Sequence, residues 1–264
     1  MGWRVGAGGL ATAVVEPGAV GGAARFDLVF VESVGAGCAE RRVPLLVGWS
    51  TRFEGVTPVR SFPSYRGQRS FSGWWWAATS GDHVGFESWL ERDQVMALDF
   101  DPEVVALASQ PFWLCWSDEQ GRGRRHAPDY FVRLADGNAA VIDVRADDRI
   151  EPRDAEAFAA AADACELVGW EYRRVGALDP VCAANLRWLA GYRHPRCWDE
   201  RYARELQAVF AEPTELLAGA DAVGERISVL PVLFHLLWTH ALVTDLRASP
   251  LSANSAVIAA ASAR

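Results

Sequence analysis

The stretch PDYFVRLADGNAAVIDVR, residues 128–145, constrains the fold more than any other part of the chain. Two runs rich in apolar and β-branched residues, Tyr130–Leu134 and Ala139–Val144, flank Asp136-Gly137. An Asp-Gly pair supplies the positive φ that a tight hairpin needs, so the stretch reads as two antiparallel strands. If Asp136 and Gly137 sit at the centre of the turn, Asp129 faces Val144, one residue away from Asp143. A bulge or a longer turn would set the two aspartates opposite each other, and even diagonal neighbours could share a ligand. Two carboxylates this close repel unless one is protonated or a cation lies between them. A hard divalent ion, Mg²⁺ or Mn²⁺, is the natural partner for such oxygens. Arg145 follows Asp143 by two residues, so strand periodicity puts a positive charge on the same face. Glu91, on a helix-like stretch upstream, is a candidate third acid. Acids, a hard cation and a nearby positive charge are the parts that phosphodiester hydrolysis requires.

Composition narrows the alternatives. All 26 basic residues are arginine and none is lysine. That excludes Schiff-base chemistry, which needs an amine, and the Walker A loop, whose lysine reaches the phosphates. No G-x-S-x-G elbow is present to support serine–histidine hydrolysis. The formal net charge of −8 argues against strong non-specific nucleic-acid binding by the chain as a whole. Local basic clusters remain: Arg60, Arg66 and Arg69 in one stretch, Arg122, Arg124 and Arg125 in another. They are candidate phosphate contacts or solvated faces, and an acidic nuclease would need a partner to hold its DNA. Five cysteines without CxxC spacing suggest neither a disulfide framework nor a zinc knuckle, which fits a reducing cytoplasm. The Gly/Ala-rich start is too weakly apolar for a signal peptide, and residues 229–243 read as a buried helix rather than a membrane span.

Periodicity and breakers give a coarse map. Residues 26–32 read as a strand, 86–99 as a helix, 102–109 as a short helix opened by Pro102, 112–116 as a strand and 121–125 as a loop. The aromatic segment 70–78 reads as a strand or an exposed patch, because three adjacent tryptophans cannot share one strand face. An alanine-rich helix over 153–167 ends at Gly169, followed by a strand over 170–175 and a helix over 180–192. Beyond His194-Pro195 only helices are expected, at 199–210, 214–219 and 224–241, with a fraying alanine-rich tail from Ala256. The expected organisation is an N-terminal extension of unknown role (1–55), an α/β core with a mixed central sheet flanked by helices (56–196), and a small, mostly helical domain with its tail (197–264).

The hairpin stretch resembles the PD-(D/E)xK signature of the restriction-endonuclease-like fold, with Asp129 as the first acid, Asp143 as the second and Arg145 where lysine is usual. FESWLERDQVMALDFDPEVVALASQPF, residues 86–112, resembles the S-x-x-E helix, FDP turn and QP of TnsA-like nucleases, with Ser88 and Glu91 on the S-x-x-E pattern. GWEYRRVG and DPVCAANLRWLAGYR resemble the later strand and helix of the same family, so the resemblance runs from about Arg60 to Arg196. It implies a Mg²⁺- or Mn²⁺-dependent endonuclease with Glu91, Asp129 and Asp143 on the metal. It implies double-stranded transposon ends as substrate, cut at the 5′ ends. A recombinase subunit and an ATPase regulator are the implied partners, and a winged-helix-like C-terminal domain is implied as the regulator's contact. Arginine keeps the positive charge but cannot give up a proton at working pH, so water activation of the lysine kind is in question.

Each residue also has a structural reading. Asp129 could form a cap or turn, Asp143 a salt bridge with an arginine, and Glu91 an arginine pair on the helix surface. His126 is a candidate phosphate contact or a structural group, and Gln110 orders the start of the next strand. The alternative function is a catalytically inactive nuclease fold serving as scaffold or DNA-docking module; a defence or repair nuclease is a third.

Overall fold

The computed structural model describes residues 26–34, 37–62 and 71–261. Arg66 and Arg69, and the Gly/Ala-rich start, lie outside the described residues. The chain divides into two compact units, one of residues up to 98 with 103–177, the other of residues 99–102 with 178–264.

The first unit holds two four-stranded sheets. One is antiparallel and runs β2 (Gly37–Pro44), β1 (Asp27–Val34), β6 (Trp113–Ser117), β7 (Gly123–His126), with a short helix α1 (Leu45–Gly48) after β2. The other is mixed, in the order β10 (Glu171–Val175), β9 (Ala139–Val144), β8 (Tyr130–Leu134), β5 (Val104–Ser109). Within it β10 runs parallel to β9, and the other pairs are antiparallel. The hairpin β3 (Gly73–Ala77) and β4 (Asp82–Phe86) leads into helix α2 (Trp89–Phe100), and helix α3 (Pro152–Val168) links β9 to β10.

Side-chain alternation on β8 and β9 sorts the core into two clusters. Phe131, Ala139 and Val141 pack with Phe53, Phe112 and the α3 residues Ala161, Ala164 and Cys165. Tyr130, Val132, Ala140, Ile142 and Val144 pack with Val84, Phe86 and the α2 residues Val95 and Leu98. The sheet is therefore covered on both faces, which is why β9 is buried at every position.

The hairpin forms where the sequence places it. Its turn is one residue longer than the two-residue form: Leu134 N–H donates to Asn138 C=O at 2.9 Å, and Gly137 sits at φ +87°. Tyr130 then faces Ile142, and one step further brings Asp129 opposite Asp143.

Three local expectations are corrected. Residues 104–109 form the strand β5 rather than a helix; adjacent β-branched valines favour it, and pairing with β8 satisfies backbone groups that a short helix would leave open. The expected loop at 121–125 is mostly β7, since Arg124 and Arg125 pair with Trp116 and Cys115; only the tight turn around Asp118 precedes it. Phe86 belongs to β4, because the α2 helix starts after Ser88, whose Oγ accepts the Glu91 N–H at 3.1 Å.

The second unit contains α4 (Pro180–Leu189), α5 (Glu200–Val209), α6 (Leu216–Val223) and α7 (Arg226–Trp238). It is not helical throughout: β11 (Thr214–Glu215), β12 (Leu242–Val243) and β13 (Ala256–Ala259) make a small antiparallel sheet with β13 in the middle. Residues 256–259 are thus a paired strand rather than a frayed tail, because neighbours on both sides take up their backbone groups. Asn185 is buried and organises the chain before β13; its Nδ2 donates to Leu246 and Ser249 carbonyls and its Oδ1 accepts from Leu251 N–H. Val229 and residues 232–238 are buried within α7, and no helix among the described residues is long and apolar enough to cross a membrane.

Candidate active site

Asp129 stands just before β8, part-buried, at the end of the mixed sheet where Asp143 of β9 also lies. Its Oδ2 accepts the Val144 N–H at 2.7 Å, and its other oxygen has no hydrogen bond among the described residues. Burial pushes the Asp129 carboxyl well above its usual range; the negative charges of Asp143 and then Glu91 push it further, and Glu87 adds to them, against the Val144 hydrogen bond. The three acids singled out from sequence therefore share one electrostatic field.

Asp143 is almost fully buried, at 1% exposure, and both its oxygens are engaged. Oδ1 meets His126 Nε2 at 2.8 Å, and Oδ2 accepts the Tyr172 hydroxyl at 2.8 Å. Its structural partners are thus an imidazole and a phenol rather than an arginine. Burial and the Asp143 charge push the Tyr172 hydroxyl far up, which keeps it protonated as a donor. No sequence signal singled out Tyr172. It becomes a partner because β10 runs parallel to β9 and sets Tyr172 beside Val141, one step along the same face from Asp143.

Glu91 closes the first turn of α2. Its Oε1 accepts the Ser88 hydroxyl at 2.9 Å and its Oε2 the Glu87 N–H at 2.6 Å, a variant of the capping box. The S-x-x-E pattern thus has a local structural use at the helix start, and among the described residues Glu91 forms no arginine ion pair. Burial, ahead of these hydrogen bonds, leaves the Glu91 carboxyl raised. Tyr130 ties the helix to the sheet by donating to the Glu91 carbonyl at 3.2 Å.

The basic candidates are spread. Arg145 pairs with Asp154 at the start of α3, 3.0 Å away, and contacts neither aspartate. Arg60 pairs with Glu87 at 2.9 Å, on the Glu91 side. Arg124 bridges Asp118 and Glu156, and the Arg125 guanidinium lies 4.3 Å from the centre of the Trp113 ring. His126 is drawn into the site by Asp143. Among the described residues no group of three or more His, Cys, Asp or Glu stands ready-made as a metal site.

Residues 101–175 match the family model described as TnsA-like endonuclease N terminal. This segment is a TnsA-like endonuclease N-terminal domain. The TnsA-like match includes Asp129, Asp143, Arg145 and His126, and it starts after Glu91. The match implies a nuclease with a DNA substrate for this segment. It is narrower than the stretch over which the sequence resembles the family. No curated protein matches the chain significantly.

Proposed function

We propose that this chain is the metal-dependent endonuclease subunit of a heteromeric transposase, cutting the 5′ ends of a transposon in the cytoplasm. The observation that carries the reading is the hairpin register that sets Asp129 across from Asp143, close enough to Glu91 for all three charges to act on one another. Such a cluster is costly to a fold by itself and suits a hard cation. The donor set, three carboxylates, fits Mg²⁺ or Mn²⁺; Asp129 and Asp143 would hold it, with Glu91 as the third acid. Such a cation supplies hydroxide from bound water near neutral pH and neutralises phosphate charge.

The chain's own residues do the rest. His126 and Tyr172 fix the orientation of Asp143. The α2 cap fixes Glu91. Arg145 takes the place of the usual lysine as a charge near the phosphate, released from Asp154, and it does not act as a base. Arg60, Arg124 and Arg125 would contact the DNA backbone, with Arg66 and Arg69 as further candidates. The mixed sheet with its two-acid hairpin supports a restriction-endonuclease-like core over residues 56–196, and residues 197–264 would form the winged-helix-like domain that meets an ATPase regulator. A recombinase subunit would complete the complex.

One set of observations favours a second reading, an inactive docking module: both Asp143 oxygens and both Glu91 oxygens are already bonded, and Arg145 is paired elsewhere. Nicking of transposon-end DNA with Mg²⁺ or Mn²⁺ separates the two. Activity in the wild type that disappears in both Asp129→Ala and Asp143→Ala is the expected result. A wild type that neither nicks nor binds metal, even with the recombinase present, would leave the docking module.

A further inference from the structure

Gln110 follows β5 directly, and its backbone is fully used. Its N–H donates to the Asp129 carbonyl at 2.9 Å, and its carbonyl accepts from Val59 N–H at 2.9 Å. Since Ser109 pairs with Tyr130, Gln110 lies directly across from Asp129, which in turn lies across from Asp143. One row across three strands therefore reads Gln110, Asp129, Asp143.

Two features of Gln110 work against stability. It is 1% exposed, yet neither Oε1 nor Nε2 has a hydrogen-bond partner among the described residues. Its φ is +43°, in the left-handed region that a long side chain rarely adopts. Comparable features elsewhere have local explanations. The other buried carboxamides, Gln94 and Asn185, are both bonded, Gln94 to the Gly176 carbonyl at 2.6 Å and Asn185 to three backbone groups. The other non-glycine residue at positive φ, His240, has its ring held by the Phe100 carbonyl at 2.6 Å. A leucine of the same volume would remove the unpaired amide at Gln110 without leaving a void. An unpaired amide and a strained backbone in one residue, beside the acid at the centre of the site, are what a functional position retains against stability.

We propose that Gln110 is a positioning residue of the nuclease site: its carboxamide, lying across the strand pair from Asp129, hydrogen-bonds an oxygen ligand of the divalent cation, such as one of its waters. A carboxamide suits that place. It can donate and accept, and it adds no negative charge to a field already made by Asp129, Asp143 and Glu91. The inference rests on the nuclease reading.

Gln110→Leu and Gln110→Asn test it against wild type, by metal-free thermal denaturation, Mn²⁺ affinity from the free-ion resonance signal, and single-turnover nicking. Gln110→Leu is expected to melt at or above the wild-type temperature, while Mn²⁺ affinity and nicking each fall about 10-fold. Gln110→Asn keeps the amide on a shorter arm and suits positive φ, so it folds and loses less; it decides the matter if the leucine variant does not fold. Wild-type Mn²⁺ affinity in both variants, or in Gln110→Asn alone when Gln110→Leu does not fold, would overturn the proposal, as would a leucine variant that only loses stability. Should the wild type itself neither bind Mn²⁺ nor nick DNA, the nuclease reading fails and this one with it; unaltered variants of an active wild type sink Gln110 alone.

Discussion

Asp129 illustrates how a single residue can be costly to the fold and central to the candidate site. Its carboxyl titrates above the ordinary 3.8 because burial, then Asp143 and Glu91, penalise its charge. Below that ordinary value the group is protonated whether the chain is folded or not, and it costs nothing. As pH rises from there towards the raised folded value, the unfolded chain ionises first and stability is lost. In chelator, Asp129→Asn is therefore expected to match wild type near pH 3.8 and to become the more stable as pH rises, since asparagine can still accept the Val144 N–H. Denaturant melts of both proteins across the pH range measure this, and a difference that shrinks as pH rises would contradict it. Sequence pattern singled out Asp129, Asp143 and Glu91. It did not reveal that Asp143 would hold His126 and Tyr172, because those contacts come from β7 and β10, which meet β9 only through folding.

At the scale of elements, the β8–β9 hairpin sets the site. Its longer turn brings Asp129 level with Asp143, and that turn depends on Gly137 at φ +87°. A side chain there is strained regardless of the open space around it. Gly137→Ala should cost about 1–2 kcal/mol in denaturant unfolding, and Gly137→Asn less, because asparagine tolerates the left-handed region. Equal stability of all three proteins would show that the turn does not hold the register. The hairpin was legible because both of its signals, Asp-Gly and strand alternation, are local. The β5 strand was not, since VVALAS after Asp-Pro satisfies a short-helix pattern equally well and only β8 decides between them. The use of Asn185 was hidden for the same reason, its partners lying more than 60 residues downstream.

Across the whole molecule, charge bears on how a DNA substrate would be held. The chain carries −8, and Arg60, Arg92, Arg124, Arg145 and Arg174 each pair with an acid of the same chain. These internal pairs compete with phosphate for the same guanidinium groups. The isolated chain should therefore bind duplex DNA with a Kd of about 1–100 µM at physiological salt, and lose about 100-fold in affinity between roughly 50 and 200 mM salt if it neutralises about three or four phosphates. Fluorescence anisotropy with a labelled duplex measures both. Nanomolar binding that ignores salt would show that the chain grips DNA without a partner.

The amino-acid sequence by itself determined the hairpin, the helix boundaries at Gly169 and Asp179 and the absence of lysine chemistry, because each is set by neighbours along the chain or by composition. Tertiary structure alone decided that β5 is a strand, that β13 is paired on both sides, which groups saturate Asp143, and that Gln110 is buried with its amide unbonded. Those outcomes depend on which backbone edge or side chain arrives from a distant segment, and hydrogen bonds and burial between such segments have no signature in local periodicity.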